Sequence, residues 1–317
     1  MAKYIVKRLI TAIPIFFGIT IIIYTMLNLA PGSALDMLAS SEMSVSSEAY
    51  QQLKVQLGLD QPIWVRYLLW LKDLLHFDFG TSYRTSQSVA LMVSQRIVPS
   101  VILSGTGVII AILLSLPIGI MAAYKPYSKW DNVSSFFALI GSTLPGFLLS
   151  LLLIYFFSIK LKLLPTQGMH SSGNTSFPDL VRHLILPALI IAIGSMGNLI
   201  KQTRSACLEM LSEDFVKTAR SKGISEVAVM VFHVFRTALI PISTTILLQI
   251  PHIIGGTTIV EQIFSWPGLG SLMISSINNR DYPVVMCIAT LIAVTVLVTN
   301  ILIDIIHGLL DPRISYS

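Results

Sequence analysis

The sequence predicts an all-α membrane protein with six transmembrane helices. Composition, long charge-free runs and the one-sided placement of basic residues carry that expectation. Of 317 residues, 54% are hydrophobic and 12% charged, and the mean hydropathy is +0.76. A helix crosses the hydrocarbon core with about 20 apolar residues. Counting between charged residues gives Leu9–Leu29, Ile97–Tyr124, Asn132–Ile159, His183–Ile200, Thr237–Val260 and Tyr282–Ile303. The fourth run is the shortest and reaches Thr203 if Lys201 snorkels or faces protein.

The first run is longer than a signal-peptide core. It ends in Asn28-Leu29-Ala30-Pro31-Gly32 without a small-x-small cleavage pattern, so it is expected to remain as helix 1. Lys3, Lys7 and Arg8 precede it, which places the N-terminus in the cytoplasm. Six crossings return the C-terminus to the same side. The pieces so assigned to the cytoplasm carry 12 basic and 6 acidic residues, whereas the outer pieces carry 9 of each. That asymmetry is a topology signal, and with no separate domain to carry a basic patch the chain is not expected to bind nucleic acid. Cys207 and Cys287 fall in a loop and in the last span, a placement that favours neither a disulfide nor a metal site.

The outer segment between the first two spans contains two expected helices. One is Ser47–Leu57; the other gathers Trp64, Tyr67, Leu68, Trp70, Leu71 and Leu75. The rings suit either a helix at the bilayer interface or a lid on the ends of the spans.

Between spans four and five, Ser212 is expected to cap a helix opening with Glu213 and Asp214. Arg220 and Lys222 fall in its last turn, and Gly223 stands where a left-handed residue ends a helix. A second helix starts near Ser225-Glu226, giving a helix–glycine–helix elbow with about three turns per arm. Phe215, Thr218, Ala219 and Lys222 share one face of the first arm, suited to docking another protein, although an ordinary inter-helix loop shows the same pattern.

This elbow resembles the loop of ABC importer membrane subunits described as Glu-Ala-Ala, three residues, Gly. The triplet falls at Lys217-Thr218-Ala219 with Gly223 as the glycine, so only the last alanine and the glycine match. The wider chain resembles the first permease of the dipeptide, oligopeptide and nickel importers. The resemblance rests on Leu29-Ala30-Pro31-Gly32, Leu57-Gly58-Leu59-Asp60-Gln61-Pro62, Asp78-Phe79-Gly80-Thr81-Ser82 and Glu213 to Gly223. It continues in Ala238-Leu239-Ile240-Pro241, Phe264-Ser265-Trp266-Pro267-Gly268-Leu269-Gly270, Asp281-Tyr282-Pro283 and Asp311-Pro312-Arg313. In that family the lysine-threonine form of the triplet is expected.

The resemblance implies a six-helix type I importer permease in a bacterial cell membrane, working with a second homologous permease, two cytoplasmic ATPases and an extracytoplasmic solute-binding protein. ATP and magnesium would sit on the ATPases, and this chain would bind no cofactor. Asp214, Phe215, Thr218, Ala219, Lys222, Gly223 and Ser225 would form the ATPase-coupling surface. The implied organisation is an N-terminal helix and outer segment over 1–96, a core over 97–305 with the coupling loop at 204–236, and a tail over 306–317. Peptides are the favoured cargo, with nickel or another small solute as the alternative and ion-coupled secondary transport as a further one.

Gly141-Ser142-Thr143 and Gly194-Ser195 with Gly197-Asn198 give two spans small polar faces, suited to close packing or to a polar path. Ser142, Thr143, Asn198 and His252 are candidates for that path; Glu261 and Trp266 lie beside an expected tight turn, which the resemblance implies is near the outer gate, so they are candidates for the path or its gate. Asn300 and Asp304 lie four apart on the last span; the aspartate is expected in a structural ion pair or hydrogen bond, the alternative being a cation or proton site. His170, His183 and His252 are scattered and form no metal cluster in the sequence. A Gly-x-x-x-x-Gly-Lys phosphate loop and a His-Glu-x-x-His motif are both absent, and Gly194-Ser195-Met196-Gly197 does not fit a nucleophile elbow, so a non-catalytic role is expected.

Overall fold

The computed structural model describes residues 2–29, 51–52, 54–55, 58–255 and 257–310. These are mostly helical, with no strand among them beyond a bridge between Thr81 and Ser88. Five helices are long and apolar enough to cross a membrane, and a sharply bent pair makes a sixth crossing if counted as one span. Most of the expected Ser47–Leu57 helix, the Ala30-Pro31-Gly32 motif and Asp311-Pro312-Arg313 lie outside the described residues.

Helix α1 (Ala2–Leu29) exposes most of its apolar surface, including Ile10 and Met26. Helix α2 (Ile63–Leu75) begins after Pro62 and buries no residue. It leans on α1: Tyr67 Oη lies 3.0 Å from Thr20 Oγ1, and the Tyr67 ring meets Tyr24 edge-on at 5.5 Å. Trp64, Leu68 and Leu75 remain exposed. The loop after α2 is tied to the far end of the chain, because Asp281 accepts from the Ser82 hydroxyl at 2.5 Å and the Tyr83 N–H at 2.9 Å.

Helix α3 (Val89–Tyr124) carries buried Gly107, Ala111, Ser115 and Gly119 at four-residue intervals. That ladder of small side chains lets a neighbouring backbone approach. The neighbour is the helix over Phe177–Leu211: a Cβ on Gly107 would stand 2.6 Å from Ile191 Cγ2, and one on Gly119 2.6 Å from Thr203 Cβ.

The third expected span is broken. Helix α4 (Lys129–Thr143) and helix α5 (Gly146–Leu153), which continues as a π-helix over Ile154–Lys160, meet at 103°. Leu144 is extended at ψ 125°, as the residue before a proline prefers, and Pro145 cannot continue the hydrogen-bond ladder.

Helix α6 (Phe177–Leu211) overshoots the fourth run at both ends and takes in Cys207, which is buried within a helix and not in a loop. Charges do not end it because they have partners. Asp179 accepts from the Ser171 N–H and hydroxyl at 2.8 and 2.7 Å. Arg204 grips Asp131 of α4 through two bonds of 2.6 and 2.8 Å.

Helix α7 (Asp214–Ser221) follows, then a single turn at Glu226–Ala228 and a π-helix over Val229–Phe235. The fifth run is divided into α8 (Arg236–Leu247), α9 (Ile250–Gly255) and α10 (Thr258–Ile263), with Pro241 inside α8 and Pro251 in the first turn of α9. Helix α11 (Leu269–Asn278) and the long α12 (Tyr282–Leu310) complete the described chain, α12 packing on α1.

Candidate functional site

The elbow begins where α6 stops. Ser212 closes α6, its hydroxyl donating to the Glu209 carbonyl at 2.7 Å, so it does not cap α7. Glu213 occupies that position in extended conformation without a side-chain cap bond. The first arm spans eight residues, about two turns and shorter than expected.

Its end is a Schellman motif. The Ile224 N–H reaches the Ala219 carbonyl at 3.3 Å, the Gly223 N–H reaches Arg220 at 2.9 Å, and Gly223 has φ +76°. Ser225 then caps the next turn by accepting from the Ala228 N–H at 3.4 Å. Across the joint, Arg220 and Glu226 pair through two bonds of 2.8 and 3.0 Å.

The arm is fastened to the chain's own core. Val216 and Ala219 are buried against Cys207, Val229, Met230 and Val234. Ala219 therefore leaves the docking face to which the spacing assigned it, since its methyl packs inward. Asp214, Phe215, Thr218, Lys222, Gly223 and Ser225 are exposed. The exposed face is a partly open aromatic ring beside a hydroxyl and a cation, held on a rigid base.

Halfway along the spans lies a cavity of about 330 Å³ between α3, α5, α6 and the broken fifth span. Ser104, Ser195, Asn198, Gln249, His252 and Thr257 supply its polar wall, and among the described residues no Asp, Glu, Lys or Arg lines it. The hydroxyls of Ser104 and Thr257 are buried without a hydrogen-bond partner among the described residues, which leaves two groups able to meet a ligand. Asn198 and His252 thus meet in one concavity. Ser142 and Thr143 are not in its wall: both are exposed near the α4–α5 break, and Ser142 accepts from Lys201 Nζ at 3.2 Å. Close packing explains Gly197, where a Cβ would stand 2.7 Å from the Ala138 carbonyl, and Gly141, where it would meet the Ile193 carbonyl, whereas Gly194 has open space and lines the cavity.

Glu261 and Trp266 are wholly buried and line no open path. Glu261 accepts from the Ser100 hydroxyl at 2.7 Å and the Ser271 N–H at 2.9 Å. Ser100 Oγ in turn accepts from the Leu269 N–H at 2.7 Å, and Trp266 Nε1 donates to the Pro99 carbonyl at 2.9 Å. Together they pin the turn before α11 onto α3. A Cβ on Gly268 would overlap the Glu261 carboxylate.

Asp304 pairs with Arg8 of α1, with bonds of 2.9 and 3.1 Å, while Asn300 is exposed. His170 and His183, apart in sequence, converge on Asp179 at 3.4 and 3.8 Å. Among the described residues no group of three such side chains could hold a metal. Sequence reasoning missed Ser104, Gln249 and Thr257. The available signal was their position: a serine inside an apolar run, and two polar residues beside the breaks of the fifth span.

Residues 115–316 match the family described as Binding-protein-dependent transport system inner membrane component. Residues 1–104 match Binding-prot-dependent transport system membrane comp, N-term. Over the whole length of both proteins the chain is 40% identical to the oligopeptide transport system permease protein AppB of Bacillus subtilis. It is 38% identical to a putative peptide permease protein of Brucella suis and 32% to the dipeptide transport system permease protein DppB of Escherichia coli, again over full lengths.

Proposed function

The chain belongs to the binding-protein-dependent transport system inner membrane components, and from that membership we propose that it is one permease half of an ATP-driven peptide importer in a bacterial cell membrane. Its partners are a second, homologous permease, two ABC ATPases carrying ATP and magnesium, and an extracytoplasmic solute-binding protein. The chain itself is non-catalytic. Both termini and the elbow face the cytoplasm.

The observation that carries this reading is the elbow. Phe215, Thr218 and Lys222 are presented outward while Val216 and Ala219 anchor the same two turns in the core. A groove on an ATPase that seats the outward face would move a body continuous with α6 and the fifth span, because packed elements transmit displacement as units. The cavity supplies the matching path: an amide and hydroxyl wall suits peptide backbone, whose N–H and C=O groups recur whatever the side chains. The names of the relatives support peptides over nickel.

Purification of the tagged chain from its native membrane tests the reading. Two ATPase copies and a second permease are expected to copurify, and peptide-loaded binding protein is expected to stimulate ATP hydrolysis. A chain that purifies alone and moves solute on an ion gradient is a secondary transporter.

A further inference from the structure

At the end of α1 farthest from the elbow, a cavity of about 400 Å³ opens between α1, α2, the loop after α2 and the start of α12. The transport reading assigns it nothing. Tyr24, Trp70 and Tyr83 form aromatic walls, and Arg66, Asp73 and Asp78 bring both signs of charge to it. Arg66 Nε is shut off from solvent and has no hydrogen-bond partner among the described residues. A buried guanidinium N–H left unmet is costly, and its natural complement is a phosphate or carboxylate. Burial pushes the Tyr83 phenol up to about 12, so it stays protonated.

On the neighbouring stripe of α2, Leu71, Leu74 and Leu75 line a second cavity, of about 420 Å³, together with Phe16, Val93 and Leu291. Among the described residues no charged side chain lines it, and Phe79 belongs to the walls of both cavities. The second is an open apolar groove, with Leu75 and Phe77 of its wall exposed beside a helix that buries no residue, a surface that acyl chains suit better than water. Tyr24 and Tyr282 stand near the ends of α1 and α12, where tyrosine and tryptophan mark the headgroup level of a bilayer.

We propose that the two cavities together bind one zwitterionic phospholipid of the phosphatidylethanolamine class. Arg66 takes the phosphate, Asp73 and Asp78 take the ammonium beside the Trp70 ring, and an acyl chain fills the apolar groove. Two carboxylates beside a single arginine oppose an anionic headgroup. They also favour an ammonium with N–H donors over a quaternary amine, which has none.

Native mass spectrometry of the assembled transporter, extracted from nanodiscs of phosphatidylethanolamine with phosphatidylglycerol or phosphatidylcholine, tests this. One phosphatidylethanolamine is expected to stay on each copy of this chain. Arg66→Gln is expected to lower its retention about tenfold, the loss of one charge-assisted contact. Asp73→Asn, at an exposed position that does not bear on folding, is expected to shift retention toward phosphatidylglycerol. Lys72→Gln, on the same helix but in neither wall, is expected to change nothing. Equal retention by Arg66→Gln and Lys72→Gln, or equal retention of all three lipids, overturns the proposal. So does an Arg66→Gln variant that keeps the lipid but loses binding-protein affinity, which assigns the pocket to that protein.

Discussion

Ser100 donates to the carboxylate of Glu261 at 2.7 Å across 161 residues of chain, and neither side chain reaches solvent. The same serine oxygen accepts the Leu269 N–H, so one hydroxyl joins α3, the buried acid and the first residue of α11. Ser100→Ala leaves a buried carboxylate and a buried N–H each short of a partner, and is expected to destabilise the fold by about 2 kcal/mol. Thermal inactivation of the solubilised complex reads the loss. Gly268→Ala is expected to cost more, because its methyl overlaps the carboxylate itself.

Gly223 lies at φ +76° with open space around the missing Cβ, so strain alone opposes a side chain there. Gly223→Val is expected to leave the chain in the membrane at normal abundance while peptide uptake falls to background. Quantitative blotting set beside uptake checks this. A variant transporting at the wild-type rate contradicts the role given to the joint.

Phe215 is the one aromatic ring on the exposed face of α7. Phe215→Ala is expected to weaken ATPase association by about tenfold or more, as truncated aromatic anchors do. Lys217→Ala, which removes only an exposed pairing with Asp214, is expected to change association by less than about 1 kcal/mol. Pull-down titration of the ATPases on both variants separates the two.

Arg204 holds the nearly buried Asp131 through two hydrogen bonds. Arg204→Ala strands that carboxylate at the α4–α6 crossing and is expected to cost about 3 kcal/mol. Adding Asp131→Asn is expected to restore part of the loss. Melting temperatures of the single and double variants form the cycle that tests it.

The elbow was legible in sequence because its determinants are local. Of the importer-loop pattern this chain keeps Ala219 and Gly223, the two positions where geometry is least tolerant: one methyl is buried and one backbone is left-handed. The inward turn of Ala219 was not legible, since spacing shows which residues share a face but not what that face meets. Counting charges located the spans yet misjudged their ends. Arg182 and Lys201 bound the fourth run in sequence, until the fold brings the Leu163 carbonyl and the Ser142 hydroxyl to them. The same counting ran through Pro145, whose missing N–H breaks the third span without interrupting its hydrophobicity. Glu261 looked like a pathway residue because its partner Ser100 lies on a distant helix.

Uptake of a labelled oligopeptide into proteoliposomes holding the complete complex tests the central claim most directly. The account predicts uptake that requires the binding protein and ATP, fails with a non-hydrolysable analogue, and is abolished by Gly223→Val without loss of complex. Uptake that proceeds without nucleotide, driven by an ion gradient through this chain alone, contradicts it.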